Sequence, residues 1–82
     1  MNSEKIKHLI EAGLENSIAI IEGNDGQHFN AIVICDLFEN KNRVEKQKLV
    51  YETLKNHLKD GTIHAISIKT FTPKEWELTN HG

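Results

Sequence analysis

Five histidines and one cysteine are the side chains of this 82-residue chain best suited to holding a metal. His64 heads an apolar, β-branched run, Ile63-His64-Ala65-Ile66-Ser67-Ile68, directly after a turn that contains Gly61. An imidazole at a strand edge offers one ring nitrogen to a metal while the other is held by a hydrogen-bond acceptor. His28 takes the other such edge, just beyond the turn Gly23-Asn24-Asp25-Gly26. Two histidines at neighbouring strand ends make a half-site, whose missing ligands have to come from another molecule. On pattern alone, the commoner reading of His64 is a structural or surface histidine. Asp25 either ligates a metal or holds its own turn by an Asx hydrogen bond, and the second use is the commoner one. Cys35 shares strand parity with Phe29, Ala31 and Val33 and is expected to be buried. His8, His57 and His81 have no partner at metal-ligand spacing and are expected in solvent.

The chain offers little for catalysis. No serine has an assignable histidine and carboxylate, and no phosphate-binding loop leads into a lysine. The pattern G-x-x-G over residues 23–26 joins two strands instead of two helices, which does not support a nucleic-acid clamp. An enzyme is not expected. The one basic stretch, residues 41–48, carries Lys41, Arg43, Lys46 and Lys48. A helix face with Arg43 and Lys46 would suit phosphates or an acidic protein surface, and a solvated helix start is an equal reading.

The elements that position these residues follow from periodicity. Ser3 suits an N-cap, and Ile6, Leu9, Ile10 and Leu14 fall on one face of a first helix, with Glu4, Lys5, Lys7, His8 and Glu11 facing water. Residues 17–35 read as a hairpin: Ile18-Ala19-Ile20-Ile21 is short and β-branched, and the 23–26 turn precedes a second strand. Asp36 suits the cap of a short turn. Residues 43–59 form the longest helix, with Val50, Leu54 and Leu58 spaced by four and Val44, Gln47 and Tyr51 bordering that face. Gly61 stops it, and a strand over 62–70 follows. Thr72, Pro73 and Glu75 have the chemistry of a capped helix start, so a last helix begins at Pro73 and carries Trp76 back over the sheet. The order α-β-β-α-β-α gives a small α+β domain, 1–82, with a three-stranded mixed sheet. The hairpin is antiparallel, the helix-linked pair is parallel, and helices cover one face.

Composition narrows the function classes. One core fits a chain of this length. A formal charge of -2 supplies no general attraction to nucleic acid, so such binding would need a local basic patch. A lone cysteine excludes an internal disulfide and a multi-cysteine zinc site. No run approaches the ~18 apolar residues of a membrane span and the N-terminus lacks a signal-peptide pattern, so a cytoplasmic chain is expected.

The chain resembles the BolA family over nearly its whole length. The likeness lies in Gly26-Gln27-His28-Phe29, in Phe38-Glu39-Asn40-Lys41-Asn42-Arg43-Val44 with Gln47-Lys48-Leu49-Val50-Tyr51, and most specifically in the block from Ile63 to Trp76, which contains Lys69-Thr70-Phe71-Thr72-Pro73-Lys74-Glu75. The acidic turn before His28 is similar to the bacterial branch related to BolA. The resemblance implies a KH-like (class II) domain without the KH clamp, acting with a monothiol glutaredoxin in iron–sulfur cluster handling. It further implies that His64 ligates a bridging [2Fe-2S] cluster to which glutaredoxin and glutathione contribute thiolates, the isolated chain being a cofactor-free monomer or weak homodimer. The family's second ligand, often Cys or His, comes from the position of Asp25. A carboxylate is a harder ligand than thiolate or imidazole, and His28 is the nearest substitute. Asn40 replaces the usual glycine and is the next most tolerant residue where φ is positive. Family members are also described as stress-response transcriptional regulators, which makes DNA binding through residues 41–48 the rival expectation.

Overall fold

The computed structural model describes residues 1–23 and 25–80. Ile6 and Ile10 lie one turn apart, which places both on the buried side of α1 (Ser3–Gly13). Its N-cap is Asn2, whose side chain accepts the Lys5 N–H at 2.8 Å, one residue before the expected Ser3. Asn and Ser cap about equally well, so only the extended backbone of Asn2 decides between them. At the far end, a Cβ on Gly13 would stand 2.6 Å from Thr53 Cγ2, so glycine lets the first helix approach the second.

Strands β1 (Ser17–Glu22) and β2 (His28–Cys35) pair antiparallel from Ser17↔Cys35 to Glu22↔Asn30. Phe29, Ala31, Val33 and Cys35 all turn inward, as their shared parity requires. Lys7 and Glu11 depart from the watery position expected of them. Lys7 Nζ donates to Glu11 at 2.7 Å and to the Ala19 carbonyl at 2.9 Å, and Glu11 accepts the Ala19 N–H at 3.0 Å. These two side chains occupy backbone groups of the outer strand β1 that a free sheet edge would expose.

A short 3-10 turn, Asp36–Phe38, buries Phe38 completely. Cys35, and not Asp36, stands at its cap, and no side chain makes a capping bond there. Asn40 follows with φ of 62°, the left-handed backbone its type tolerates. Helix α2 (Arg43–Lys59) then starts from a capping box in which Asn42 accepts the Glu45 N–H and Glu45 accepts the Asn42 N–H. Val50 and Leu54 are fully buried, and Gln47 donates to the Ile68 carbonyl at 2.8 Å. Val44 and Tyr51 are exposed instead of bordering the core.

Strand β3 runs Ala65–Phe71, later than the expected 62–70. The cause is the exit from α2: Asp60 accepts the Thr62 N–H at 2.9 Å, and Ile63 N–H returns to the His57 carbonyl at 3.0 Å. These donors serve the helix end and leave the ladder to begin at Ala65, while the Ile63 side chain fills the core. The sheet order is β1-β2-β3, and β3 pairs parallel with β2 from His28↔Ala65 to Ile34↔Phe71.

Helix α3 (Pro73–Asn80) begins where its capping residues indicate. Thr72 N–H donates to Glu75 at 2.8 Å, and Glu75 N–H donates to the Thr72 hydroxyl at 3.1 Å. Helices α1 and α2 cover one face of the sheet, whose residues share one cluster with Ile6, Ile10, Val50 and Leu54. Helix α3 follows directly on β3 and packs against β2 and β3, and Trp76 meets Phe71 with ring centroids 5.3 Å apart and planes tilted by 59°. The remainder of the outer face stays open at Ile18 and Ile20.

Candidate functional site

The parallel pairing brings the starts of β2 and β3 to one end of the sheet. His28 opens β2 opposite Ala65, so His64 is the residue that immediately precedes the paired ladder. The Ala65 N–H donates to the Gln27 carbonyl at 3.1 Å, which ties the β1–β2 loop to the start of β3. His64 is exposed because it falls between the Ile63 plug and the first rung of the ladder. The pleat turns His28 outward with Asn30, Ala65 and Ser67, and gives position 64 the parity of Ile66 and Ile68.

Asp25 is fully engaged in its own loop. Its Oδ1 accepts the N–H groups of Gln27 at 2.9 Å and His28 at 2.8 Å, and its Oδ2 meets the His28 Nδ1 at 2.8 Å. Gly26, with φ of 75°, supplies the reversal that folds the loop back onto the carboxylate. The bond with the His28 ring, followed by the two backbone bonds, holds the Asp25 carboxyl well below the usual carboxylate range. Both side chains remain exposed. Among the described residues, no three His, Cys, Asp or Glu side chains come together as a metal site. His28 and His64 therefore stand at adjacent strand starts with opposite strand parity, and the Asp25 carboxylate is already in use within its own loop.

The other candidates separate from this corner. Cys35 is buried with its Sγ 3.5 Å from the Glu15 carbonyl. His8 is exposed on α1, and His81 lies outside the described residues. His57 corrects the expectation of a solvated ring: it is half-buried and its Nδ1 is enclosed without a hydrogen-bond partner. The backbone return of Ile63 onto the helix end brings the chain over it.

The basic segment divides. Arg43 and Lys46 line a groove of about 400 Å³ with Gln47, Ile68, Lys69 and Phe71. Lys46 also reaches Glu75 at 3.6 Å. Lys41 lines the neighbouring groove beside Glu39 and Glu75, and Lys48 lines neither. Sequence periodicity overlooked Lys69, although its alternation with Ile68 on β3 carries the signal that would have placed it outward.

The sequence model of the family described as BolA-like protein matches residues 3–75. The chain belongs to the BolA-like family. Its structure is similar to that of a BolA protein homologue from Coxiella burnetii, with a TM-score of 0.84 and 44% identity, covering 94% of this chain and 97% of that one. The acid stress protein IbaG of Escherichia coli (strain K12) is 41% identical over 70 residues, or 82% of this chain and 83% of that protein. The BolA domain of SufE1 from Arabidopsis thaliana superposes with a TM-score of 0.76 at 32% identity, over 92% of this chain and 98% of that domain. The two solved structures share the small α+β frame of this chain. Among the described residues, no helix is long and apolar enough to cross a membrane.

Proposed function

We propose that this chain is a non-catalytic, cytoplasmic partner in iron–sulfur cluster handling: it binds a monothiol glutaredoxin and lends His64 to a [2Fe-2S] cluster carried as cargo. The observation that carries this reading is the exposed His64 at a sheet corner whose second imidazole belongs to the adjacent strand start. Such a corner fits half a ligand shell, and glutaredoxin and glutathione thiolates would supply the rest. Mixed imidazole and thiolate ligation tunes the potential and lability of a cluster. The chain itself contributes rigidity: the Ala65–Gln27 bond fixes loop to strand, and the Ile63 plug anchors the residue next to His64. Membership of the family and the likeness to the SufE1 domain support the pathway, and the likeness to a protein named for acid stress supports a role in stress response.

Mixing the chain with cluster-loaded monothiol glutaredoxin is expected to change the visible absorption and circular dichroism spectra, and His64→Ala is expected to abolish that change. A wild-type chain that leaves the spectra unaltered removes the shared-cluster function. A second reading, transcriptional regulation by DNA binding, is favoured by one observation, the convergence of Arg43, Lys46 and Lys69 on a single groove. It predicts duplex binding that weakens with salt and on replacing Arg43 and Lys46 by Ala. An unchanged DNA anisotropy at low salt eliminates it.

A further inference from the structure

We propose that the outer edge of β3 is a docking site for an acidic, extended peptide segment, which adds a further strand to the sheet in the groove lined by Arg43, Lys46 and Lys69.

The sheet order leaves two outer strands, and their edges differ. At β1, Lys7 and Glu11 occupy the Ala19 carbonyl and N–H, which blunts that edge. Along β3, alternate residues turn their backbone groups to opposite sides. The Ala65 N–H bonds to the Gln27 carbonyl on the β2 side, so Ile66, Ile68 and Thr70 turn theirs away from the sheet. Among the described residues, one side chain bonds to these groups: Gln47, whose Nε2 donates to the Ile68 carbonyl at 2.8 Å. That donor stands where the amide of a neighbouring strand would stand, and a partner strand can replace it with little net change in hydrogen bonding.

The groove along this edge sets the chemistry of the occupant. Its walls are Arg43, Lys46 and Gln47 from the first turns of α2 and the β3 residues from Ile68 to Phe71, so three cations and no carboxylate line about 400 Å³. The cations flank the edge on both sides. Ile68 is buried against the helices, which puts Lys69 on the outer face of the sheet, while Arg43 and Lys46 belong to the helix side. An added strand sends successive side chains to those same two sides, so consecutive acidic residues meet Lys69 on one and Arg43 with Lys46 on the other. The Lys46 side chain is only 15% exposed, and its carboxylate neighbour Glu75, at 3.6 Å, also accepts the Thr72 N–H, which leaves the cation suited to a second carboxylate. The Glu75 charge and the formal charge of -2 oppose a continuous run of phosphates more than a short peptide. Main-chain pairing then supplies affinity, and the flanking cations supply selectivity.

The probes are labelled octapeptides with a central run of glutamates flanked by threonine and valine. One control carries glutamine for glutamate, and another is N-methylated at its central residues, which keeps the charge and blocks strand pairing. In anisotropy titrations against the full chain at low salt, the parent peptide is expected to bind about 10-fold or more tightly than either control. It is also expected to shift the backbone amide signals of Ile68 and Thr70 in ¹H–¹⁵N spectra. The double variant Arg43→Glu with Lys69→Glu, changed at two exposed positions, is expected to lose the acidic peptide and to bind a lysine counterpart instead, a rescue that misfolding does not produce. An N-methylated peptide that binds as tightly as the parent overturns the inference, because charge alone then suffices, and so does a parent peptide that does not bind. A DNA duplex that shifts the Ile68 and Thr70 amides where the peptide does not assigns the groove to nucleic acid and overturns it as well. These titrations contain neither cluster nor glutaredoxin, so the docking site stands or falls separately from the role of His64.

Discussion

The two ends of the sheet satisfy the backbone in one shared way and differ in what stands exposed beside it. Where β2 and β3 finish, Asn42 and Glu45 cap one helix, Thr72 and Glu75 cap another, and Phe38 is sealed beneath them. Where the same strands begin, His28 and His64 stand exposed, and the Asp25 carboxylate meets the His28 ring at Nδ1. Carboxylates satisfy backbone N–H groups at both ends, through Glu45 and Glu75 at the finishing end and Asp25 and Asp60 at the starting end, but only the starting end sets two exposed imidazoles beside them. Stability and recognition are therefore expected to separate along the strand direction.

The largest effect belongs to the finishing end. Phe38→Ala removes a completely buried ring from between the 3-10 turn and the rest of the core. It is expected to cost about 3–5 kcal/mol in urea denaturation. A loss below about 1 kcal/mol would mean that this end collapses around the cavity and is not the rigid half of the molecule. Next come the caps: Thr72→Ala and Asn42→Ala are each expected to cost about 1 kcal/mol, because each frees a first-turn amide that the side chain satisfies. The two costs should add, since the caps serve different helices.

These same caps explain how much of the fold could be read from the sequence. Thr72, Pro73 and Glu75 act on backbone groups within three residues, so their chemistry is complete in the local sequence, and α3 starts where it is expected. The span of α2 is legible for the same reason. The start of β3 is not, because Ile63 gives its N–H to His57 across a chain reversal that strand alternation does not encode. Lys7 and Glu11 look like solvent residues on a helical wheel and become edge partners only once β1 lies beside α1. At the candidate site, the adjacency of His28 and His64 follows from a hairpin and a parallel crossover. The Asx bond of Asp25 is the commoner use expected of its turn and is present at Gln27 and His28, whereas its contact with the His28 ring depends on side-chain geometry that the sequence does not encode.

A smaller effect is expected from pH. Glu11 is held below the ordinary glutamate value of 4.5, first by the Lys7 hydrogen bond and then by the Ala19 N–H. Glu75 is lowered in the same direction, first by the Thr72 N–H. A depressed carboxyl binds fewer protons in the folded state than in the unfolded one, so its stabilisation is complete above the unfolded value and fades as pH falls through the folded value. Chemical denaturation should therefore show stability declining from about pH 5 towards pH 3, with a shallower slope in Glu11→Gln. A slope unchanged by that substitution would remove the α1–β1 contact from the stabilising half of the molecule.

The smallest effect on folding should accompany the largest effect on function. His64 is exposed and belongs neither to the Ile63 plug nor to the β3 ladder. Its truncation leaves no cavity and strips no buried partner, so His64→Ala should stay within about 0.5 kcal/mol of wild type in the urea experiment used for Phe38→Ala. Loss of the glutaredoxin-dependent dichroism in a variant of unchanged stability would assign that signal to the imidazole and not to damaged structure. A destabilisation of about 2 kcal/mol or more would place His64 in the frame, and the contrast between the two ends of the sheet would no longer hold. The reciprocal variant sharpens the contrast: Thr72→Ala, at the far end of the same strand, should lower stability while leaving the dichroism change at full amplitude whenever the chain is folded.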